Sequence, residues 1–193
     1  MIFNKVVQES EASIEKRDLD KVVRLLEPYS PKRILEIGMW KGYSADNWIK
    51  IFDPDFLVTI EKDRKHPDGV YHEDNPNYHY LWETDSTSDQ TLDKIKDLMN
   101  KKQFDMAFID GGHDYATIRR DLQLYIPLVR PGGVVVMHDI LYMADACQVK
   151  LYWEYLKKHH DYVEINCGLG STGIGMIFIG NKYGEKITEN PRQ

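Results

Sequence analysis

Cysteine is nearly absent from this chain of 193 residues, which holds only Cys147 and Cys167. Two thiols without a CxxC pair or finger spacing exclude a zinc ribbon and a disulfide scaffold, and they read as free thiols of a reducing compartment. Apolar runs long enough to cross a bilayer are missing, and Met1 to Asp20 is polar with no apolar core, so the chain reads as cytoplasmic with no membrane partner. Basic excess is missing as well. A formal charge of −6 argues against nucleic-acid binding, which needs a cationic face to displace counterions from phosphates. No internal repeat or low-complexity tract is present. The length suits one domain, 1–193, with a substantial core and a small-molecule partner, and it leaves room for a homo-oligomer.

What is present is alternation. Ile14, Val22, Val23, Leu25 and Leu26 mark an amphipathic lead-in helix within residues 1–30, stopped by Pro28 and Pro31. Strands are expected at 33–37, 56–61, 78–82, 104–109 and 134–138, with helices at 44–52, 88–100, 114–129 and about 145–159 between or after them. Strand and helix in turn imply right-handed crossovers and a mostly parallel sheet. Strands at 162–167 and 175–180 flank the glycine-rich stretch Gly168 to Gly173, a link too short for a crossover helix and so an antiparallel hairpin. Pro67, Gly69 and Pro76 argue against a helix in 64–77, whose histidines match no metal-ligand spacing and read as solvated. Residues 33–180 form the core, and 181–193 a polar tail.

Two dense patches carry the chemistry. In Leu35-Glu36-Ile37-Gly38-Met39-Trp40-Lys41-Gly42-Tyr43-Ser44 a strand breaks into a turn and restarts as a helix, so a ligand is expected to lie on bare backbone there. Glu36, inside a buried strand, is expected to position the turn or to meet a ligand amine, because an unpaired buried carboxylate costs several kcal/mol. Glu61 ends the next strand about twenty residues on, where such sheets place the acceptor for a ribose diol. Asp85 and Ser86 end the third strand, where the aspartate accepts from an adenine amino group or caps the helix beyond. The second patch pairs Asp110-Gly111-Gly112-His113 with His138-Asp139 at two further strand ends. Those carboxylates and imidazoles suit a hard-cation site for Mg²⁺ or Mn²⁺, or a general base. The bland alternative is that Asp139 and His113 cap the segments after them.

The glycine spacing is neither G-x-G-x-x-G nor a P-loop. With Glu61, Ile109 to Tyr115, Leu128-Val129-Arg130-Pro131-Gly132-Gly133 and His138-Asp139 in register, the chain resembles the class I S-adenosylmethionine-dependent methyltransferases. Within them it is most similar to the small O-methyltransferase-like group that includes cephalosporin-hydroxylase-like and macrocin-type sugar methyltransferases. The resemblance implies a Rossmann-like, doubly wound seven-stranded sheet, mostly parallel with an antiparallel last strand, and helices on both faces. It implies S-adenosylmethionine held by Glu36, Gly38, Met39, Gly42, Ser44, Glu61, Asp85, Ser86 and Asp110. A metal would fall to Asp110, His138 and Asp139, with His113, Asp110 and His138 as catalytic groups. Its acceptor would be a hydroxyl of a sugar or other polyhydroxylated small molecule. Histidine where relatives keep an acid leaves a metal-assisted and a histidine-base route both open. A non-catalytic nucleoside-binding or assembly domain and a nucleotide-dependent oxidoreductase are the alternatives of other classes.

Overall fold

A computed structural model describes Ile14, residues 16–168 and residues 170–180; the expected polar tail lies outside them. The elements are α1 (Lys16–Leu26), β1 (Arg33–Ile37), α2 (Tyr43–Phe52), β2 (Phe56–Ile60), β3 (Tyr78–Leu81), α3 (Asp89–Met99), β4 (Phe104–Ile109), α4 (Tyr115–Tyr125), β5 (Val129–His138), α5 (Val149–Leu156), β6 (Tyr162–Ile165) and β7 (Ile174–Phe178). The sheet has seven strands in the order β3-β2-β1-β4-β5-β7-β6. β1 to β5 pair in parallel, and β7 runs antiparallel to both β5 and β6. The doubly wound sheet with an antiparallel last strand is therefore the observed architecture.

Strand periodicity sends alternate side chains to opposite faces. Leu35 and Ile37 of β1 join Ile95, Ile118, Leu122 and Trp153 on the face covered by α3, α4 and α5. Ile34 joins Val22, Trp48 and Phe108 on the face covered by α1 and α2. Glu36 shares the parity of Ile34, so its carboxyl points beneath α2. Cys147 packs into the first layer and Cys167 into the second, so the sheet separates the thiols, and both are free.

Three expectations need adjustment. The α4 helix stops at Tyr125, a single 3₁₀ turn follows at Ile126–Leu128, and β5 begins already at Val129. Pro131-Gly132-Gly133 is thus a kink within β5, where the Gly132 N–H donates to the Ile179 carbonyl at 2.6 Å. The α5 helix is shorter than 145–159, because the chain after β5 turns tightly through Tyr142, whose N–H donates to the Asp139 carbonyl at 3.1 Å. Leu25 is exposed, and Ile14, Val22, Val23 and Leu26 bury α1 without it. No described helix is long and apolar enough to cross a membrane.

Candidate active site

The order of the parallel strands reverses between β1 and β4, and a cleft of about 650 Å³ lies over their carboxyl ends, where open α/β sheets bind ligands. All five parallel strands contribute: Gly38 and Met39 after β1, Glu61 after β2, Asp85 and Ser86 after β3, Asp110 to Asp114 after β4, His138 of β5 and Asp139 just beyond it. Gly38 stands where the reversal brings two backbones together. Its φ is +83°, and a Cβ there would fall 2.0 Å from the Asp110 carbonyl oxygen, so the fold itself requires glycine. Gly42 differs from expectation. A Cβ on it would lie 2.2 Å from the Val70 carbonyl oxygen, so the Val70–Tyr71 segment covers it and it is not part of the cleft wall. Tyr43 and Ser44, the first residues of α2, do line the cleft, and no side chain caps that helix.

Glu36 is fully buried beneath this turn rather than facing the cleft. Burial pushes its carboxyl up to about 8, offset in part by Ser44 and Trp48 and reinforced by Asp110 and Glu61. Neither of its oxygens has a partner at hydrogen-bond distance and angle, so Ser44 and Trp48 are polar neighbours, and burial favours the protonated carboxyl. Glu61 binds the turn from the side. Its Oε2 accepts from Met39 N at 2.9 Å and Trp40 N at 2.6 Å, and its Oε1 accepts from Asp63 N at 3.1 Å. One lone pair of Oε1 is left over, on an inventory of two per carboxylate oxygen. Asp85 Oδ1 accepts from Thr87 N and Thr87 Oγ1 at 2.9 and 2.8 Å, an Asx turn, while Ser88 caps α3. The Ser86 carbonyl accepts from Tyr125 Oη at 2.6 Å, which ties this loop to α4.

At the other end of the cleft the acids meet imidazoles. Strand β5 stops at His138, and Asp139 enters the left-handed region at φ +60°, a costly conformation for a non-glycine residue. The twist breaks the strand alternation, so consecutive side chains both reach the cleft. His138, 5 % exposed, has both ring nitrogens engaged: Nδ1 lies 3.0 Å from Asp110 Oδ1 and Nε2 lies 3.0 Å from Thr172 Oγ1. Asp114, not His113, caps α4 by accepting from Thr117 N at 3.0 Å. His113 is thereby released to the cleft, its Nε2 3.0 Å from Asp139 Oδ2. That hydrogen bond raises the His113 pKa against the opposing effect of burial. Burial alone would raise Asp139, but His113 and His138 outweigh it and hold the carboxyl below its ordinary range.

Asp110, His113 and Asp139 each offer a ligand atom within 4.8 Å of the others. Two carboxylates with one imidazole are a donor set that suits Mg²⁺ or Mn²⁺. The converging imidazole is thus His113, whereas His138, expected in the metal set, spends its nitrogens on Asp110 and Thr172. Sequence reasoning missed Thr172, hidden in a glycine-rich link that read as a simple connector, and the cleft-lining Tyr142 and Ile14.

A profile described as Methyltransferase domain matches residues 35–140, more than half of the chain. Among curated proteins, an uncharacterized protein of Sinorhizobium fredii, y4gI, is 25 % identical over 177 residues, which is 84 % of this chain but 19 % of that protein. The chain therefore spans about a fifth of that relative's length. Among solved structures, the O-methyltransferase TomG of Streptomyces achromogenes, with SAM, superposes at a TM-score of 0.63 with 20 % identity, covering 91 % of this chain and 92 % of that one. The MycE methyltransferase of mycinamycin biosynthesis, with Mg, SAH and mycinamycin VI, gives 0.61 and 19 %, covering 90 % and 51 %. The resemblance to class I methyltransferases is borne out, and the chain belongs to the methyltransferase domain family.

Proposed function

We propose that this methyltransferase moves the methyl group of S-adenosylmethionine to a hydroxyl oxygen of a sugar or other polyhydroxylated small molecule in the cytoplasm. The observation that carries the reading is the convergence of Asp110, His113 and Asp139 on a cleft whose far end is closed by Glu61 across the β1 turn. The methionine part lies over Gly38 and Met39, its carboxylate toward the uncapped start of α2, as helix N-termini favour anions. Glu61 offers its remaining lone pair to the ribose, and Asp85 with Ser86 faces the adenine. The rings of Trp40 and Tyr142, 52 % and 44 % exposed on the cleft wall, offer flat apolar surfaces to a sugar face.

Methyl transfer is an in-line displacement. The acceptor oxygen bonds to the methyl carbon as the carbon–sulfur bond breaks, its electron pair returns to sulfur, and the hydroxyl proton leaves to a base. Positioning carries much of the rate. Asp110, His113 and Asp139 fit a divalent cation, which when bound would lower the hydroxyl pKa. The chain's own residues also support a second route. His113, oriented through Nε2 by Asp139, is placed to take the proton on its other nitrogen.

The test is calorimetry with S-adenosylhomocysteine and NAD, followed by transfer of labelled methyl from S-adenosylmethionine to a sugar panel with Mn²⁺, Mg²⁺ or EDTA. Binding of S-adenosylhomocysteine with labelled sugar product supports the proposal. Preference for NAD, or no product with any acceptor or metal, sinks it.

A further inference from the structure

Among the described residues, Asp18 on α1 is a second acid whose burial demands explanation, since it is 2 % exposed and lies outside the core expected at 33–180. A buried carboxylate is tolerated where hydrogen bonds replace its water. Asp18 Oδ1 accepts from Cys167 N at 2.9 Å and Oδ2 from the Ser171 hydroxyl. The same Ser171 Oγ accepts from Gly173 N at 3.1 Å. Ser171 is therefore fixed by a carboxylate of the leading helix and in turn holds Gly173, and the Thr172 carbonyl between them is held by Leu141 N at 2.8 Å. The loop is also closely seated, because a Cβ on Gly173 would stand 2.7 Å from Leu141 Cγ.

Held in this way, Thr172 Oγ1 meets His138 Nε2, and the opposite ring nitrogen meets Asp110 Oδ1, both at 3.0 Å. An ionised carboxylate only accepts, so Nδ1 carries the proton of that bond, and in the neutral ring Nε2 is left to accept from the threonine hydroxyl. The ring is almost wholly enclosed, so water is a poor substitute for either partner. We infer that Asp18 and Ser171 are positioning residues: through Thr172 they fix the orientation of the His138 ring, and so the carboxylate of Asp110 that faces the reaction. The lead-in helix is on this account part of the active site. The inference rests on the methyltransferase reading for its kinetic consequence only.

The experiment compares the full chain with Ser171→Ala, which removes one hydroxyl, and with Asp18→Asn, using ¹⁵N-histidine NMR at alkaline pH and His138→Gln to assign the ring. In the parent protein His138 should show a protonated Nδ1 held by Asp110 and an unprotonated Nε2 accepting from Thr172, and both variants should shift the Nε2 signal as that donor is lost. Turnover should fall about 10- to 100-fold, the range for groups that orient a functional side chain from behind, with affinity for S-adenosylhomocysteine within about threefold by the same reasoning. Rescue of the ring signals in Ser171→Thr would support the assignment. A parent ring protonated on Nε2, or variants that lower Tm without moving the His138 nitrogens, would overturn it. Failure of the parent protein to bind S-adenosylhomocysteine would sink the methyltransferase reading instead, and the nitrogen signals would still decide this inference.

Discussion

Both ends of the cleft are lined by acids, yet the two ends use them differently. Toward β2 and β3, Glu61 and Asp85 place their oxygens on backbone N–H groups of Met39 and Trp40, and of Thr87, as Asp114 after β4 does on Thr117. Those donors are neutral and fixed. Asp85 and Asp114 are accordingly held below the ordinary carboxylate range, chiefly by hydrogen bonds from Thr87 and Thr117. Toward β5, Asp110 and Asp139 face the rings of His138 and His113. Imidazoles exchange protons near neutral pH and can give way to a cation, which backbone amides cannot. One end is therefore built to hold a shape, and the other is built to change charge.

The largest effect is expected where charge changes. Asp139→Asn keeps the shape but forfeits the charge that steadies His113 or a cation, so turnover should fall by roughly 10²- to 10⁴-fold, the span for a lost acid–base partner. Affinity for S-adenosylhomocysteine should stay within about threefold, because the proposed function places the cofactor at the other end. Chelation then divides the routes. Activity abolished by EDTA and restored by Mn²⁺ or Mg²⁺ marks the cation. Activity that survives EDTA, fails in His113→Ala and rises with pH through a limb above the ordinary imidazole value marks the histidine base, since Asp139 raises that pKa.

Glu36 lies beneath the boundary and senses both ends, for its raised pKa reflects burial first and then Asp110 on one side and Glu61 on the other. The sign follows from linkage. Between the ordinary value of 4.5 and about 8 the folded protein keeps a proton that the unfolded chain has lost, so stability falls as pH climbs through that window. At 1.36 kcal/mol per pKa unit, Glu36→Gln should gain on the parent by up to about 3 kcal/mol between pH 5 and pH 8 in urea titrations. A pH-independent difference would mean that the carboxyl ionises in the folded state. If a cation binds Asp110, adding Mn²⁺ should flatten the parent's slope.

Glu61 sharpens the comparison from the structural end. Glu61→Gln weakens the acceptor that gathers Met39 and Trp40, and the loss in S-adenosylhomocysteine affinity should be about 1.5–3 kcal/mol, the range for hydrogen bonds to a charged group. Calorimetry showing unchanged affinity would detach Glu61 from both the turn and the ribose.

Much of this arrangement is legible in the sequence, and what is not legible shares a cause. Apolar strands of period two and the helix at Tyr115, Ile118, Leu122 and Tyr125 announce themselves because burial imposes their spacing. Acids at strand ends were legible because the topology of a parallel sheet brings those ends together. The partner of each acid was not legible. That Asp139 stands between His113 and His138, at 3.0 and 3.4 Å, depends on the left-handed turn at Asp139 and on Asp114 taking the cap, both tertiary choices among residues with similar propensities. Gly42 looked like open backbone because sequence cannot show that Val70 covers it. Asp18 and Thr172 are separated by more than 150 positions from one another, and neither stands in a motif.

The smallest effect should come from Asp85, and it tests whether the structural end speaks to the cofactor's charge pattern at all. Asp85 Oδ1 is occupied by both donors of Thr87, so its fixed task is the Asx turn that sets the loop toward α3. Asparagine can keep that oxygen in place while presenting an NH₂ group where Oδ2 now stands. A turn builder tolerates the change, with S-adenosylhomocysteine affinity altered by less than about threefold and Tm by only a degree or two, as befits an exposed substitution away from any buried contact. An Oδ2 that accepts from the adenine amino group does not, because a donor would then face a donor and leave both without a partner. A tenfold loss measured by calorimetry, with Asp85→Glu restoring part of it, would move Asp85 from the acids that hold shape to those that read the ligand, and the division between the two ends would have to be drawn further along β3.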